Sequence, residues 1–207
     1  MSDSGKLTGH SALIAGAAGD IGLAVAKLLA AEGCRLHLAD LKDQKLEEIA
    51  EELFDLHEIE AEIYSTDLSE SINAAALALE CEDVGILINT FGSVPVGNIE
   101  TLDSEDWQAG FELRVLGAIN LSREVLEGMI DLASGIIVNV GGGLDDRIDD
   151  QLCLQTINAT LSAFSENLDK QTKREGIRVL TFLPDAEASA DDNATALTRM
   201  ILGKLSS

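Results

Sequence analysis

Short apolar runs alternate with longer amphipathic stretches along most of the chain. The runs are bounded by glycine or polar residues and are almost continuously apolar, which predicts β-strands that are buried on both faces. The predicted strands lie within residues 11–16, 34–40, 61–67, 84–92, 135–143 and 176–184. Strands of this kind belong to a parallel sheet whose two faces are covered by helices.

The stretches between these runs carry apolar residues at helical spacing. They predict helices at residues 20–32, 44–57, 69–79, 104–132, 151–173 and 192–205. In helix 151–173, an apolar stripe is formed by Leu154, Ile157, Leu161 and Phe164. Strands that alternate with helices predict an α/β fold with a doubly wound parallel sheet, whose ligands bind beyond the carboxyl ends of the strands.

Length and charge limit the classes of protein. No Pro-, Ser- or Gly-rich linker divides the 207 residues, so we expect a single domain, residues 1–207. The opening residues lack the apolar core of a signal peptide, so we expect a cytoplasmic protein. A net charge of −23 repels phosphate backbones and anionic lipids, so we expect neither a nucleic-acid nor a membrane partner. Three widely spaced cysteines predict reduced thiols and no metal centre.

A glycine-rich turn connects the first predicted strand to the first helix, in "LIAGAAGDIGLAVAKLLAAEG". Glycines let the backbone approach a pyrophosphate closely, and the helix start offers N–H groups and a positive dipole end. Asp40 closes the second strand. A carboxylate there accepts hydrogen bonds from the adenosine ribose and repels a 2′-phosphate, so the sequence predicts binding of NAD in preference to NADP.

From about Lys6 to Pro184, the chain resembles the short-chain dehydrogenase/reductase (SDR) family. The segment "AGAAGDIG" resembles the family's T-G-x-x-x-G-x-G, "TDLS" resembles its adenine-contacting segment, and "INTFG" resembles its N-N-A-G. The resemblance implies a Rossmann fold. It also implies that the cofactor is held by Gly16, Gly19, Asp20, Ile21, Gly22, Asp40, Asp67, Leu68, Asn89 and Gly92.

Four residues in this front half depart from the family pattern: Ala15, Asp20, Thr90 and Phe91. Asp20 stands where the second glycine belongs, and Phe91 adds bulk beside the expected path of the adenine and ribose. An Asp is favourable at a helix start, but facing a pyrophosphate at ~4 Å it would cost about 1–4 kcal/mol. We therefore expect dinucleotide binding to be weakened.

The resemblance also implies a Tyr that transfers a proton, a Lys that lowers the pKa of that Tyr, a Ser that orients the carbonyl, and an Asn that anchors a water. The aligned residues are Leu154, Asn158, Gly142 and Arg114, in that order. The only Tyr of the chain is Tyr64, and no Lys lies between Lys45 and Lys170. A phenol needs an adjacent cation to act near neutral pH, so both residues are required. Because neither is present in this part of the chain, no shift of the alignment restores the pair.

We therefore assign no catalytic residue and expect a noncatalytic SDR-like protein that binds NAD(H) weakly and acts in sensing or assembly. The resemblance implies that helices 104–132 and 151–173 pair across subunits. That pairing predicts a homo-oligomer, or a hetero-oligomer with an active paralogue. The apolar stripe of helix 151–173 would then cover an interface as well as the core, or the core alone.

Other interpretations remain open. One is an NAD-dependent oxidoreductase of a small carbonyl or alcohol, with water, Asp145 or Asp146 as the proton donor. Another is a binding module for a different nucleotide or an anion, with Arg114 as a contact; Arg114 could instead form a surface ion pair. After Pro184 there is room for a loop and one helix, so we expect the fold to be truncated after its sixth strand and to lack a lid.

Overall fold

A computed structural model describes residues 5–81, 83–145 and 149–205. The strands in these ranges are β1 Ser11–Ala15, β2 Arg35–Asp40, β3 Glu62–Ser65, β4 Ile86–Asn89, β5 Gly135–Val140 and β6 Ile177–Phe182. The α-helices are α1 Asp20–Ala31, α2 Asp43–His57, α3 Ser71–Glu80, α4 Ser104–Phe111, α5 Gly117–Asp131, α6 Leu152–Thr172 and α7 Ala190–Leu205. The predicted order of elements is confirmed.

The strands form one parallel sheet in the order β3-β2-β1-β4-β5-β6. The chain starts at the centre with β1, builds outward to β3, and then returns to place β4 on the other side of β1. This reversal makes a crevice at the carboxyl ends of β1 and β4. The sheet is the doubly wound Rossmann fold that the sequence predicts.

Successive residues of the strands face opposite sides of the sheet, and each side has its own core. Ile14 of β1 packs in the core that α1 and α7 cover, together with Leu29 and Leu197. Leu13 packs in the core that α3, α5 and α6 cover, together with Leu121. The strands are therefore apolar on both faces, which explains why they are nearly continuous apolar runs.

The predicted helix 104–132 was wrong in one respect. A π-helical turn, Glu112–Leu116, separates α4 from α5, although the backbone stays helical throughout. A single π turn inserts one extra residue and shifts the apolar stripe only at that point, so a pattern taken over the whole helical stretch does not reveal it. Strands β4 and β5 also end earlier than predicted, at Asn89 and Val140, because the residues after them form the loops of the site.

The apolar stripe of α6 belongs mainly to the core of its own chain. Ile157 and Leu161 are fully buried within the protomer, whereas Leu154 and Phe164 are half-buried. Ile157 and Leu161 are therefore unavailable to a subunit interface, which corrects that part of the prediction.

Some features lie apart from the site. The three cysteines Cys34, Cys81 and Cys153 are free and buried, and burial raises the pKa of each thiol. Within residues 5–81, 83–145 and 149–205, no group of three or more His, Cys, Asp or Glu side chains is arranged to hold a metal ion. No helix in the same ranges is both long enough and apolar enough to cross a membrane.

Candidate functional site

A cleft of about 310 Å³ opens at the carboxyl ends of β1, β2 and β4, where the sheet reverses. Six of the ten residues predicted to bind a cofactor line it: Gly16, Gly19, Asp40, Asp67, Leu68 and Gly92. The end of β2 and the loops after β1, β3 and β4 therefore bring these predicted residues together.

The glycine turn is closed by backbone contacts that leave no room for side chains. Gly16 has a φ of +85°, and a Cβ added there would lie 2.4 Å from the carbonyl oxygen of Thr90. The Thr90 hydroxyl donates to the Gly16 carbonyl at 2.9 Å. A Cβ on Gly22, which lies beneath the turn and outside the cleft, would meet the Gly16 oxygen at 2.4 Å. Glycine is therefore required at both positions for the turn to meet α1 and the loop after β4.

At the start of α1, beside the glycine turn, backbone N–H groups have no side-chain cap. Gly19 is the N-cap residue, and no side chain caps the helix. Asp20 and Ile21 follow as the first helical residues, and Asp20 is exposed. Uncapped N–H groups with the dipole end of a helix bind phosphate groups, so this turn could hold a pyrophosphate. The Asp20 carboxylate adds a negative charge at its rim.

Asp40 is held in place at the end of β2. Its Oδ2 accepts a hydrogen bond from the Ala18 N–H at 3.1 Å, and its Oδ1 accepts one from the Lys42 N–H at 3.3 Å. A carboxylate oxygen has two lone pairs, so each oxygen keeps one for a further donor such as a ribose hydroxyl. In the loop after β3, Asp67 uses Oδ1 to accept from the N–H and hydroxyl of Ser69, which fixes the wall beside Leu68.

Asn89 lies below the cleft and not in it. Its side chain is buried and donates to Asn139 Oδ1 at 2.9 Å, and Asn139 in turn donates to the Ser165 hydroxyl at 2.9 Å. This chain of hydrogen bonds ties β4 to β5 and to α6. Asn89 therefore supports the cleft from underneath.

Phe91 is turned into the core. Its side chain is buried, and a Cβ added to Gly117 of α5 would come within 3.4 Å of the ring. Gly117 leaves room for the ring beneath the cleft, and Phe91 also lines the cleft wall, where the sequence placed its bulk.

At the end of β5, three of the four residues that the sequence aligns with catalytic groups contact one another. The Asn158 side chain accepts from the Gly142 N–H and donates to the Gly142 carbonyl, both at 2.9 Å. A Cβ on Gly142 would lie 2.4 Å from Leu154 Cδ1. Leu154 and Asn158 therefore pack on the backbone where a Ser side chain would need to stand. We call these three residues the closed corner.

Arg114 lies on the π-helical turn beside the cleft. Its Nε donates to the Gly92 carbonyl at 2.6 Å, while its Nη1 is buried and has no hydrogen-bond partner. Burial lowers the pKa of the guanidinium to about 10, so it remains charged at neutral pH. It contributes a positive charge without a proton that is readily given up.

The only Tyr of the chain lies away from the closed corner, and the candidate donor Asp145 does not line the cleft. Tyr64 is on the edge strand β3, where its hydroxyl donates to Glu62, and burial raises its pKa. Asp145 exchanges backbone hydrogen bonds with the Gln151 side chain and is not among the residues that line the cleft. Asp146 lies outside the described residues.

The cleft also includes residues that the sequence did not single out. Lys42, Ser93 and Leu113 line it. Lys42 could have been suspected because it follows Asp40 closely. The sequence does not predict that Leu113 lines the cleft, because the apolar pattern does not reveal the π-helical turn that carries it.

A comparison with known families decides the classification. A family profile described as short chain dehydrogenase matches residues 10–195. The chain belongs to this family. Over 139 residues it is 35% identical to the 2,3-dihydro-2,3-dihydroxybenzoate dehydrogenase of Bacillus subtilis. These residues cover 65% of this chain and 53% of that relative. The chain thus spans about half the length of that relative.

Two further similarities bear on the cleft and the closed corner. The human inactive hydroxysteroid dehydrogenase-like protein 1 is 31% identical over 186 residues, which cover 86% of this chain and 56% of that protein. The crystal structure of a metagenomic short-chain oxidoreductase in complex with NADP has the same fold. It superposes with a TM-score of 0.85 at 23% identity, covering 95% of this chain and 92% of the other.

Proposed function

We propose that this SDR protein binds NAD(H) in the cleft and does not carry out the hydride transfer for which the family is known. Its role is then that of a sensing or partner subunit. The observation that supports this most strongly is the closed corner. Leu154 and Asn158 occupy the surroundings of Gly142 through packing and paired hydrogen bonds. An NADH held in the cleft would supply a hydride, but no described side chain at the corner offers the proton.

Binding is proposed because the residues present fit a dinucleotide. The glycine turn brings the uncapped start of α1 to the cleft, and Asp40 keeps one lone pair on each oxygen. Preference for NAD over NADP is part of the proposal, since a 2′-phosphate would meet the Asp40 carboxylate. Solved structures with this fold include a short-chain oxidoreductase in complex with NADP and an NAD+-bound xylitol dehydrogenase, so the fold itself accepts either cofactor.

The partner role is proposed for the outer surfaces of α4, α5 and α6. Leu116 on the π-helical turn is 47% exposed, and Leu152 at the start of α6 is 36% exposed. Exposed apolar side chains on these helices favour a homo-oligomer or a hetero-oligomer with an active paralogue. Light scattering after size exclusion tests this, because Leu116→Glu should shift an oligomer towards the monomer while Leu79→Glu, on α3, should not.

Restoring the family's residues tests the catalytic part. The wild type, charged with NADH, should leave a broad panel of ketones and aldehydes unreduced. A variant with Arg114→Asn, Gly142→Ser, Leu154→Tyr and Asn158→Lys should gain measurable NADH oxidation if the frame is otherwise intact. Each single substitution should gain none, because the proton donor, its cation and the orienting hydroxyl act together.

A second candidate is favoured by the retained cleft: an NAD-dependent oxidoreductase with a non-standard proton donor. In that case the wild type itself would oxidise NADH with some carbonyl substrate, and Asp145→Asn or Asp146→Asn would reduce that rate. Such turnover would contradict the noncatalytic role while leaving the proposal of NAD(H) binding in place.

A further inference from the structure

Arg114 is a half-buried cation without a counter-ion among the described residues, its Nη1 is fully buried, and its Nε donates to a residue that lines the cleft. No carboxylate of the described residues is within ion-pair distance of it, and its Nη1 has neither solvent nor a hydrogen-bond acceptor. The chain has 37 acidic and only 14 basic residues, so carboxylates are not scarce. Other basic groups use them: Lys27 pairs with Glu52, and Arg178 pairs with Asp169. A buried charge is normally paired, so the absence of a counter-ion at Arg114 needs an explanation.

The acid that shares the π-helical turn with Arg114 is engaged elsewhere. Glu112 shares the π-helical turn with Arg114, but its side chain accepts from Gln108 at 2.6 Å on α4. π-helical turns recur at functional sites, because the extra residue changes where side chains point. The single contact of the guanidinium, from Nε to the Gly92 carbonyl, joins it to a residue that lines the cleft.

We propose that Arg114 binds the carboxylate of a ligand at the end of the cleft that lies away from Asp40. The proposal builds on the proposed NAD(H) site and names a second ligand group for it. Sheet order separates the two ends, because Asp40 is the last residue of β2, Gly92 follows β4, and β1 lies between these strands. In the proposed site, the uncapped start of α1 binds the pyrophosphate near the middle of the cleft. Arg114 would therefore bind a different, small anionic group.

A carboxylate fits this place for chemical reasons. The guanidinium is planar and offers its remaining donors as a fork, which matches two carboxylate oxygens. The neighbouring cleft wall is apolar, with Phe91 and Leu113. In such surroundings a charge-assisted pair is stronger than in water. The carboxylate could belong to a small oxo or hydroxy acid bound beside NADH, or to a dinucleotide whose pyridine ring carries it.

Binding at Arg114 should be coupled to the cleft. Nη1 is shielded, so an anion reaches it only with local movement, and the Gly92 carbonyl is the contact that would be exchanged. Gly92 also lines the cleft, so dinucleotide and carboxylate would each change the other's affinity by the same factor. The site would then respond to the redox cofactor and an organic acid together.

The test uses the wild-type chain, Arg114→Met, Arg114→Lys and the control Arg123→Met, which removes an exposed arginine of α5 that pairs with Glu124. NADH is titrated with and without pyruvate, lactate, acetate or inorganic phosphate, and nicotinate adenine dinucleotide is titrated against NAD. We expect either an organic acid to tighten NADH binding or the nicotinate dinucleotide to bind more tightly than NAD, by about tenfold. Arg114→Met should abolish the effect, Arg114→Lys should keep part of it, and Arg123→Met should keep all of it.

A merely structural role is distinguished by thermal unfolding. Arg114→Met removes an unpaired buried charge as well as one hydrogen bond, so its Tm should stay within about 2 °C of the wild type. A larger fall, with no effect of carboxylate on any nucleotide, would assign Arg114 to stability and overturn the proposal. NADH binding that is indifferent to carboxylate and to the ring substituent, or that is tightened by phosphate alone, would also overturn it.

The two proposals can fail separately. If NADH binds and no carboxylate effect exists, the Arg114 site fails and the NAD(H) site stands. If NADH does not bind but nicotinate adenine dinucleotide does, and Arg114→Met abolishes that binding, the Arg114 site stands and the proposed preference for NAD(H) fails. If neither dinucleotide binds and no acid binds on its own, both are overturned.

Discussion

Both the cleft and the closed corner contain glycines with no room for a side chain, but for different reasons. At Gly16 a side chain would strike the backbone of Thr90, which cannot move without opening the sheet. At Gly142 it would strike the end of the Leu154 side chain, which is free to be replaced. The first glycine preserves room for a ligand between fixed elements. The second lets the Leu154 side chain pack directly against the backbone.

The comparison suggests that the two halves of the site are under different constraints. The cleft depends on backbone geometry: a left-handed turn, an uncapped helix and a carboxylate fixed by N–H groups. The closed corner depends on side chains that fit one another, so a change in one requires a change in the next. A fold can thus keep the first while it loses the chemistry of the second.

Gly16→Ala should have the largest effect and tests whether the turn is fixed by the backbone. A left-handed φ disfavours alanine, and its Cβ would lie too close to the Thr90 carbonyl, so we expect a loss of about 3 kcal/mol or more in the free energy of unfolding. Gly19→Ala is the matched control. Its φ is −78° and its nearest neighbour would be 3.3 Å away, so it should lose about 1 kcal/mol or less. Urea titrations measure both, and equal losses would contradict the distinction.

Asn158→Ala should come next and tests whether the closed corner is a stabilising structure. It removes both hydrogen bonds to Gly142 and leaves a backbone donor and acceptor unsatisfied, which should cost about 2 kcal/mol. Asn167→Ala on the exposed face of the same helix removes one bond to a carbonyl, and should cost about 0.5 kcal/mol or less. A negligible effect of Asn158→Ala on the urea midpoint would mean that the corner is loosely packed and open to ligands.

A double-mutant cycle sharpens the contrast between the two glycines. Gly142→Ala alone should destabilise the protein, because the new methyl group overpacks against Leu154. In a chain that already carries Leu154→Ala this penalty should vanish, which gives a coupling energy of about 1 kcal/mol. Strict additivity would show that the corner is constrained by its backbone, as the cleft is.

Asp20→Asn should have the smallest effect, with opposite signs in two measurements. Losing the carboxylate from the first turn of α1 should cost up to about 1 kcal/mol of stability. Removing a negative charge near the pyrophosphate site should tighten NADH binding by about fivefold. Asp191→Asn, in the first turn of α7, should show the stability effect alone. Unchanged NADH affinity in Asp20→Asn would mean that the Asp20 carboxylate faces away from the nucleotide.

The sequence predicts the backbone of this molecule well because burial sets its patterns. The apolar strands, the helix order and the turn at Gly16 follow from periodicity and glycine chemistry, and so does the place of Asp40. What escapes is the direction of individual side chains. Phe91 lines the cleft where the sequence placed it, but the burial of its ring beside Gly117 on another helix has no signal in the sequence. Asn89 was expected to touch the cofactor, but Asn139 on the next strand holds it below the cleft.

The sequence shows which residues stand at the closed corner, but it does not predict the contacts that they make. The absence of Tyr and Lys from the expected positions is visible in the sequence. That Asn158 binds the Gly142 backbone twice, and that Leu154 fills the space above it, depends on the packing of α6 against the end of β5. The unpaired state of Arg114 is likewise a property of its surroundings in three dimensions.

One measurement tests the central contrast, an open cleft beside a closed corner, most directly. The fluorescence of NADH is followed as wild-type protein is added, and the saturated sample then receives a mixture of carbonyl compounds. The proposal predicts a saturable rise with a Kd on the order of micromolar, which is lost in Asp40→Ala, and a constant signal after the carbonyls are added. No rise would show that the cleft does not bind NADH, and a decay beyond that of buffer would show that the corner still supports chemistry.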